Sequence, residues 1–191
     1  MKSLFLDRET KYDGSQLKSL FGYFQCGVAG DSIISFIGPC DISFENMADG
    51  EDVLAKAQIR GGKMLHFIVE KFNIALISGV LLQRLLTSLT IDAIRTLSKD
   101  KAKADKLIRD GDDIFLGDRK LSISIAAPSH TSVLIHFAMN ITNENTPVAT
   151  VSLEDLSVDR QKLSQYLMEK FCEEEESIIF ATQKVRGVDS Y

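Results

Sequence analysis

The chain has 191 residues, 45% of them hydrophobic and 26% charged, with a formal net charge of −5 and a pI of about 5.2. That length and balance fit one folded domain over residues 1–191 and exclude the disordered, collagenous and low-complexity classes. A mildly acidic chain gains no general attraction to phosphate backbones, which argues against nucleic acid as a partner.

Along the chain, Met1 to Leu6 turns polar at Asp7 and lacks the apolar core of a secretory signal. Asp13-Gly14-Ser15 reads as a helix start, with Leu17, Leu20, Phe21 and Phe24 on one face and Gly27 to Gly30 as its end. Ile33 to Ile37 reads as a buried strand closed by Gly38-Pro39, and Glu45 to Gly50 as a polar loop. Met64 to Phe72 alternates as a strand does. From Ile74 to Leu97 the spacing of Leu81, Leu82, Leu85, Leu86 and Leu89 is helical, although Ile74 to Ile77 also suits a strand. The apolar stretch Ile74–Leu82 ends at Gln83 and Arg84, short of the roughly 20 residues a membrane-spanning helix needs. Ser98 to Asp110 is charged and reads as exposed.

The strongest β signal follows. Lys120–Ala127 and Thr131–Ile141 each alternate with period two on either side of Pro128-Ser129, the pattern of a β-hairpin with one buried face. The second face of Thr131–Ile141, with Leu134, His136, Ala138 and Asn140, is apolar for a surface meant for water. It predicts either a homo-oligomer interface near His136 or a cover from the C-terminal helices. A helix capped by Ser157 or Asp159 then carries Leu163, Leu167 and Phe171 on one face. The acidic run Glu173 to Glu176 reads as a solvated face, and Ser177 to Arg186 as a second helix ending at Gly187.

Cys26, Cys40 and Cys172 are odd in number and widely spaced, so they form no disulfide framework and no zinc knuckle. A reducing cytoplasm suits them, with no membrane attachment. The three histidines are scattered, and none has a second ligand one helical turn away, so no metal site is expected. His130 lies in the hairpin turn and should be exposed.

Two segments carry candidate chemistry. Asp112 to Leu121 reads as strand, turn, strand, with Lys120 leading into the hairpin. A lysine there can hold a phosphate or carboxylate as a point charge, or Arg119 and Lys120 can be plain turn cations. Arg60-Gly61-Gly62-Lys63-Met64-Leu65-His66 places glycines ahead of a strand. Such glycines let a backbone approach an anion, or form an ordinary turn before a core histidine.

On these residues the chain resembles the biotin and lipoate protein ligases. Asp112-Asp113-Ile114 through Arg119-Lys120-Leu121-Ser122 is similar to their central Asn-Asp-apolar strand, turn and Arg-Lys-Leu signature. Asn140 falls at the asparagine of their next strand, and Gly61-Gly62 to His66 at the glycine-rich segment of the lipoate ligases. The order of motifs follows the ligases over about 12–142, with a C-terminal helical segment over about 157–187. The resemblance implies an α+β fold with a mixed, largely antiparallel sheet flanked by helices. It implies Lys120 as the catalytic cation, and Arg60, Gly61, Gly62, His66, Asp113 and Asn140 as ligand-binding residues. The partner would be a small carboxylic acid or a nucleotide, with ATP the implied cofactor. Departures are visible too. Ile123 stands where the ligases have glycine, Asp112 where they have asparagine, and Phe67 where they have aspartate. The whole chain most resembles a prokaryotic family known only as a domain of unknown function.

Three functions fit this sequence. One is ATP-dependent activation of an acid, with Lys120 facing the developing charge. One is acyl transfer without ATP, for which Cys40 is the only cysteine near a plausible site. The third is a binding or assembly protein that kept the sheet and lost the chemistry, which Ile123 and Phe67 favour.

Overall fold

The computed structural model describes residues 1–188. Five strands form the central sheet: β1 (Lys2–Leu6), β2 (Ser32–Asp41), β3 (Arg60–Phe72), β7 (Ser122–Pro128) and β8 (Ser132–Asn140). Their order is β1-β2-β3-β8-β7, with β1 parallel to β2 and every other pair antiparallel. A second sheet, β4-β5-β6, is built from Leu107–Asp110, Asp113–Leu116 and Arg119–Lys120. The fold is α+β, with the mixed sheet and flanking helices that the ligase resemblance implies.

Registered partners divide the central sheet into two faces. Val69, Phe67 and Leu65 pair with Ile135, Phe137 and Met139 and point toward helices α3 (Leu76–Leu97) and α5 (Arg160–Gln183). Leu163, Leu167 and Phe171 of α5 are buried in that core, as their spacing predicts. Gly79 lets α3 approach β8, because a Cβ there would overlap Val133. By length and composition α3 could cross a membrane, yet Leu86, Ile91 and Ile94 are core residues.

The opposite face carries Ile34 and Phe36, then Ile68, His66 and Met64, then His136, Ala138 and Asn140, then Ile125 and Ile123. Here the sequence expectation needs correction. Every residue of β8 is buried, so that strand has two covered faces, while most of β7 is half-buried. The C-terminal helix does not supply the cover at Ala138. Tyr12 and Phe21, from the excursion between β1 and β2, pack on it instead. His136 is therefore interior to the single chain.

That excursion also departs from its reading as a long helix. Only Phe21–Cys26 (α1) is helical, ended by Gly27 in the left-handed conformation. Leu20 is left-handed too, at φ 64°. A distant group holds it there: both Glu70 carboxylate oxygens accept the Leu20 N–H, at 2.8 and 3.0 Å, and Ser132 Oγ donates to the same carboxylate at 2.8 Å. The strand β2 runs on through Gly38-Pro39 to Asp41, with a register shift between Gly38 and Cys40. A bulge tolerates the missing proline N–H.

Further differences have equally local causes. Asp49 caps a short helix α2 (Gly50–Ala55) by accepting the N–H groups of Glu51 and Asp52, and Phe44–Asn46 is a 3-10 turn, so Glu45 to Gly50 is not a plain loop. Residues 98–110 include α4 (Lys101–Ala104) and β4, and bury Ala104 and Leu107. Asp159 caps α5, which continues unbroken past Ser177 to Gln183. Glu175 is not solvated: it ion-pairs with Lys71 at 2.6 Å and with the Met1 ammonium at 3.5 Å, and Lys71 also pairs with Asp31. Burial pulls the Lys71 pKa down, but the bonds to Asp31 and Glu175 outweigh it and leave the pKa raised.

Gly38 is the tightest point of the fold, since a Cβ there would overlap the Thr10 carbonyl oxygen. Gly38→Ala should destabilise the protein by about 3 kcal/mol, on the order of 6–12 °C in melting temperature. Gly50→Ala, at a position with nothing within 4 Å of the added carbon, should leave melting nearly unchanged. Thermal unfolding of the two variants checks the assignment, and equal melting temperatures would refute it.

Candidate functional site

A cavity of about 450 Å³ opens on the second sheet face. Its floor is Met64, Ile123, Ile125, His136 and Asn140. Its walls come from residues 42–60 around α2, from the small sheet at Asp112, Asp113 and Lys120, and from the loop Thr146–Thr150. The size falls within the usual range for small-molecule sites.

Lys120 sits where the two sheets meet. Its backbone is clamped from three sides: its N–H donates to Ala149 O at 3.0 Å, and its carbonyl accepts from Val151 N at 3.1 Å and from Asn140 Nδ2 at 3.2 Å. The ammonium pairs with Asp113 Oδ2 at 2.7 Å, with both side chains about three-tenths exposed. Burial raises the Asp113 carboxyl above the ordinary carboxylate range, and Lys120 offsets part of that rise. The neighbouring Asp112 is tied down separately, accepting from Gln83 Nε2 at 2.8 Å and facing Arg84 at 3.7 Å. Arg60, exposed, bonds Gln58 at the cavity mouth.

The structure thus brings Arg60, Asp113, Lys120 and Asn140 around one cavity. Gly61 and Gly62 border a neighbouring hollow of about 440 Å³ that shares Arg60, Thr146 and Pro147 with it. The two glycines make room for protein atoms. A Cβ on Gly61 would lie 2.6 Å from Met64 Sδ, one on Gly62 would lie 3.0 Å from Glu144 O, and the Gly62 N–H already donates to that oxygen at 2.8 Å. The Gly62 N–H is thus engaged within the protein.

His66 lies behind the floor, fully buried. Its Nε2 approaches Gly38 O at 3.1 Å and its Nδ1 approaches His136 Nε2 at 3.1 Å. A carbonyl only accepts, so His66 Nε2 carries the proton, His66 Nδ1 accepts, and His136 Nε2–H donates. His136 takes the place on the cavity floor expected of His66. Tyr12 stacks on the His136 ring with centroids 3.6 Å apart. Burial holds both rings neutral. It lowers the His66 pKa to about 4, and it lowers His136 well below the usual value, with His66 adding to the effect.

Sequence reasoning missed Tyr12, Asp52 and the Thr146–Thr150 loop. Asp49 followed by acids and then Val53-Leu54 is a helix-start signal that could have located Asp52. Nothing near Tyr12 marks it. Cys40 lies in β2, is buried, and has its thiol pushed up to about 12 by burial, with Asp41 adding to the rise. Such a thiol is a poor nucleophile, which removes the acyl-transfer role considered for it.

With this geometry in place, comparison with known proteins is informative. Residues 1–186 match the family described as a domain of unknown function, DUF366. The chain belongs to that family. An uncharacterised protein of Methanocaldococcus jannaschii is 30% identical over 164 residues, covering 83% of this chain and 72% of the relative. A solved protein of unknown function from Pyrococcus horikoshi is 31% identical, with 98% of each chain covered and a TM-score of 0.89. Biotin protein ligase from Leishmania major, in complex with biotin, shares the fold at TM-score 0.58 and 14% identity, covering 99% of this chain and 82% of its own. A protein proposed to be a lipoate protein ligase from T. acidophilum, with bound lipoic acid, does so at 0.56 and 16%, covering 91% and 85%. The family therefore carries a biotin/lipoate ligase-like fold.

Two measurements test the buried groups. Alkylation of the folded protein at pH 8 followed by mass spectrometry should modify the half-buried Cys26 and Cys172 before Cys40, and early Cys40 labelling would contradict its burial. The lowered histidine pKa values stabilise the fold above about pH 6.5. That stability is lost as pH falls toward 4, by roughly 3 kcal/mol from His66 alone. The urea midpoint should drop across this window, and His66→Gln should flatten the drop.

Proposed function

We propose that the cavity binds a small carboxylic acid or its acyl-adenylate, with Lys120 as the counter-ion. The observation that supports this most is the setting of Lys120. A partly exposed ammonium on a clamped backbone faces a cavity whose floor is apolar at Met64, Ile123 and Ile125. An incoming carboxylate or phosphoryl oxygen would compete with Asp113 for that ammonium, and the apolar floor would take the hydrocarbon part.

The walls do not fit a bare triphosphate. Their cations are Lys120, already paired, and Arg60 at the rim, while Asp49, Glu51, Asp52, Asp112 and Asp113 are also present. The glycine-segment N–H of Gly62 is taken by Glu144. We therefore derive no ATP-dependent step. A second reading, binding without ligase chemistry, is favoured by Ile123 on the floor at the place of the ligase glycine.

A thermal-shift panel of short acids, lipoate, biotin and acyl-adenylate analogues tests the proposal. A true ligand at a hundred times its Kd should stabilise the fold by about 2.7 kcal/mol, which is roughly 5–11 °C for a chain of this size. Lys120→Ala should melt within a few degrees of the parent, because a partly exposed pair contributes about 1 kcal/mol or less, and it should lose the ligand shift. A variant that still responds to the ligand would clear Lys120 of the role.

A further inference from the structure

The cavity has an unbalanced set of polar groups. Lys120 and Arg60 are its cations, and five carboxylates share the walls. Four of the five are accounted for. Asp113 holds Lys120, Asp112 holds Gln83 and Arg84, Asp49 caps α2, and Glu51 is exposed to solvent. Asp52 remains. It is half-buried on the wall, and its carboxylate makes no hydrogen bond or ion pair among the described residues. Burial and the nearby Asp49 charge raise its pKa, the Lys120 charge offsets only part of that rise, and a further cation in the cavity would offset more.

The floor has the same character. The hydrogen-bond chain from Gly38 O through His66 to His136 fixes the His136 proton on Nε2, which leaves Nδ1 as an acceptor. That nitrogen has no partner among the described residues. It is not sealed either, since Thr142 Oγ1 is the one enclosed side-chain polar atom without a partner among the described residues. His136 is only 1% exposed and lines the cavity, so its open edge faces the cavity. Asn140 presents a second acceptor by the same accounting. Its amide nitrogen serves Lys120 O and Val151 O, while its Oδ1 has no protein partner and is not sealed. Because burial keeps His136 neutral, its acceptor persists at ordinary pH. Acceptors on a buried floor beside an unpaired carboxylate complement an N–H-rich cation.

We propose that the acid bound here also carries an amine, so that the ligand is an amino acid or an acid of amino-acid-like charge. Lys120 takes its carboxylate, and Asp52 with the His136 and Asn140 acceptors takes its ammonium. This rests on the reading of Lys120 given under Proposed function, and adds the second charge and its partner. The apolar residues Ile59, Ile123 and Ile125 would then receive the side chain.

Isothermal titration calorimetry on the full chain separates the two claims. The probes are the standard amino acids, each with its 2-deamino acid and its decarboxylated amine. The expected result is at least one amino acid binding tenfold or more tightly than both truncated partners. Asp52→Asn, which removes no protein hydrogen bond, should erase the advantage over the deamino acid and leave the Kd of that acid within twofold. If deamino acids bind as tightly as amino acids, the ammonium claim is overturned and the Lys120 reading stands. If amines bind as tightly as amino acids, the Lys120 reading is overturned and the zwitterion goes with it. If no probe binds, both fall. An Asp52→Asn protein that keeps the full preference overturns the assignment of Asp52.

Discussion

The structure hinges on the passage of Thr10 to Tyr12 across the bulge of β2. Thr10 N donates to Ile37 O and Tyr12 N to Pro39 O, while Asp41 N returns a bond to Tyr12 O, each at 2.9 Å. The segment continues the ladder that β1 began and leaves at Leu6, and it fits only because Gly38 has no side chain. This crossing sets Tyr12 over His136 and beside His66, at centroid distances of 3.6 and 5.4 Å. Removal of the crossing would hydrate both imidazoles, restore their ordinary basicity and open the cavity floor. Backbone geometry at one glycine of β2 therefore controls the electrostatics of His66 and His136, one and two strands away.

A second constraint closes the opposite edge. Lys71, Asp31, Glu175 and the Met1 ammonium form one buried network that joins β3, the turn before β2, the late part of α5 and the start of the chain. The Phe72 N–H adds a bond to Asp31 at 2.9 Å. Breaking a buried pair on one side leaves the other charge stranded, at a cost of about 3–5 kcal/mol. The network thus specifies where α5 docks along the sheet, a matter on which the leucine and phenylalanine stripe of α5 is less exacting.

These two constraints also mark the limit of what the sequence discloses. Periodic apolar patterns are local, and they disclosed β3, the β7–β8 hairpin, the body and end of α3 and the buried stripe of α5. Lys120 and Asp113 were legible because strand, turn and strand are contiguous, so the ion pair forms within eight residues. Long-range partners left no such trace. Leu20 breaks the expected helix because Glu70 captures its N–H across 50 positions, and Glu175 is buried because Lys71 lies 104 positions away. The edge strand Lys2–Leu6 is short and half-exposed, so its alternation is weak. Alternation assigned the two faces of Thr131–Ile141 properly, but it could not tell that Tyr12 would cover the second.

Kinship with the biotin and lipoate ligases is a statement about the sheet and its cavity, and the cavity lining tells a separate story. A glycine at position 123 would expose bare backbone to a ligand, whereas Ile123 lines the cavity with hydrocarbon. The glycine segment spends its backbone on Met64 and on residues 144–145. Lys120 keeps its place but shares the wall with Asp52, Asp112 and Asp113, so the local field is acidic around a single paired ammonium. Each change is modest alone. Together they give a cavity whose floor and walls present acceptors, with Lys120 and Arg60 as the cations among them. The proposed ligand with an ammonium and a carboxylate matches that lining in both signs of charge, whereas the scaffold by itself selects neither.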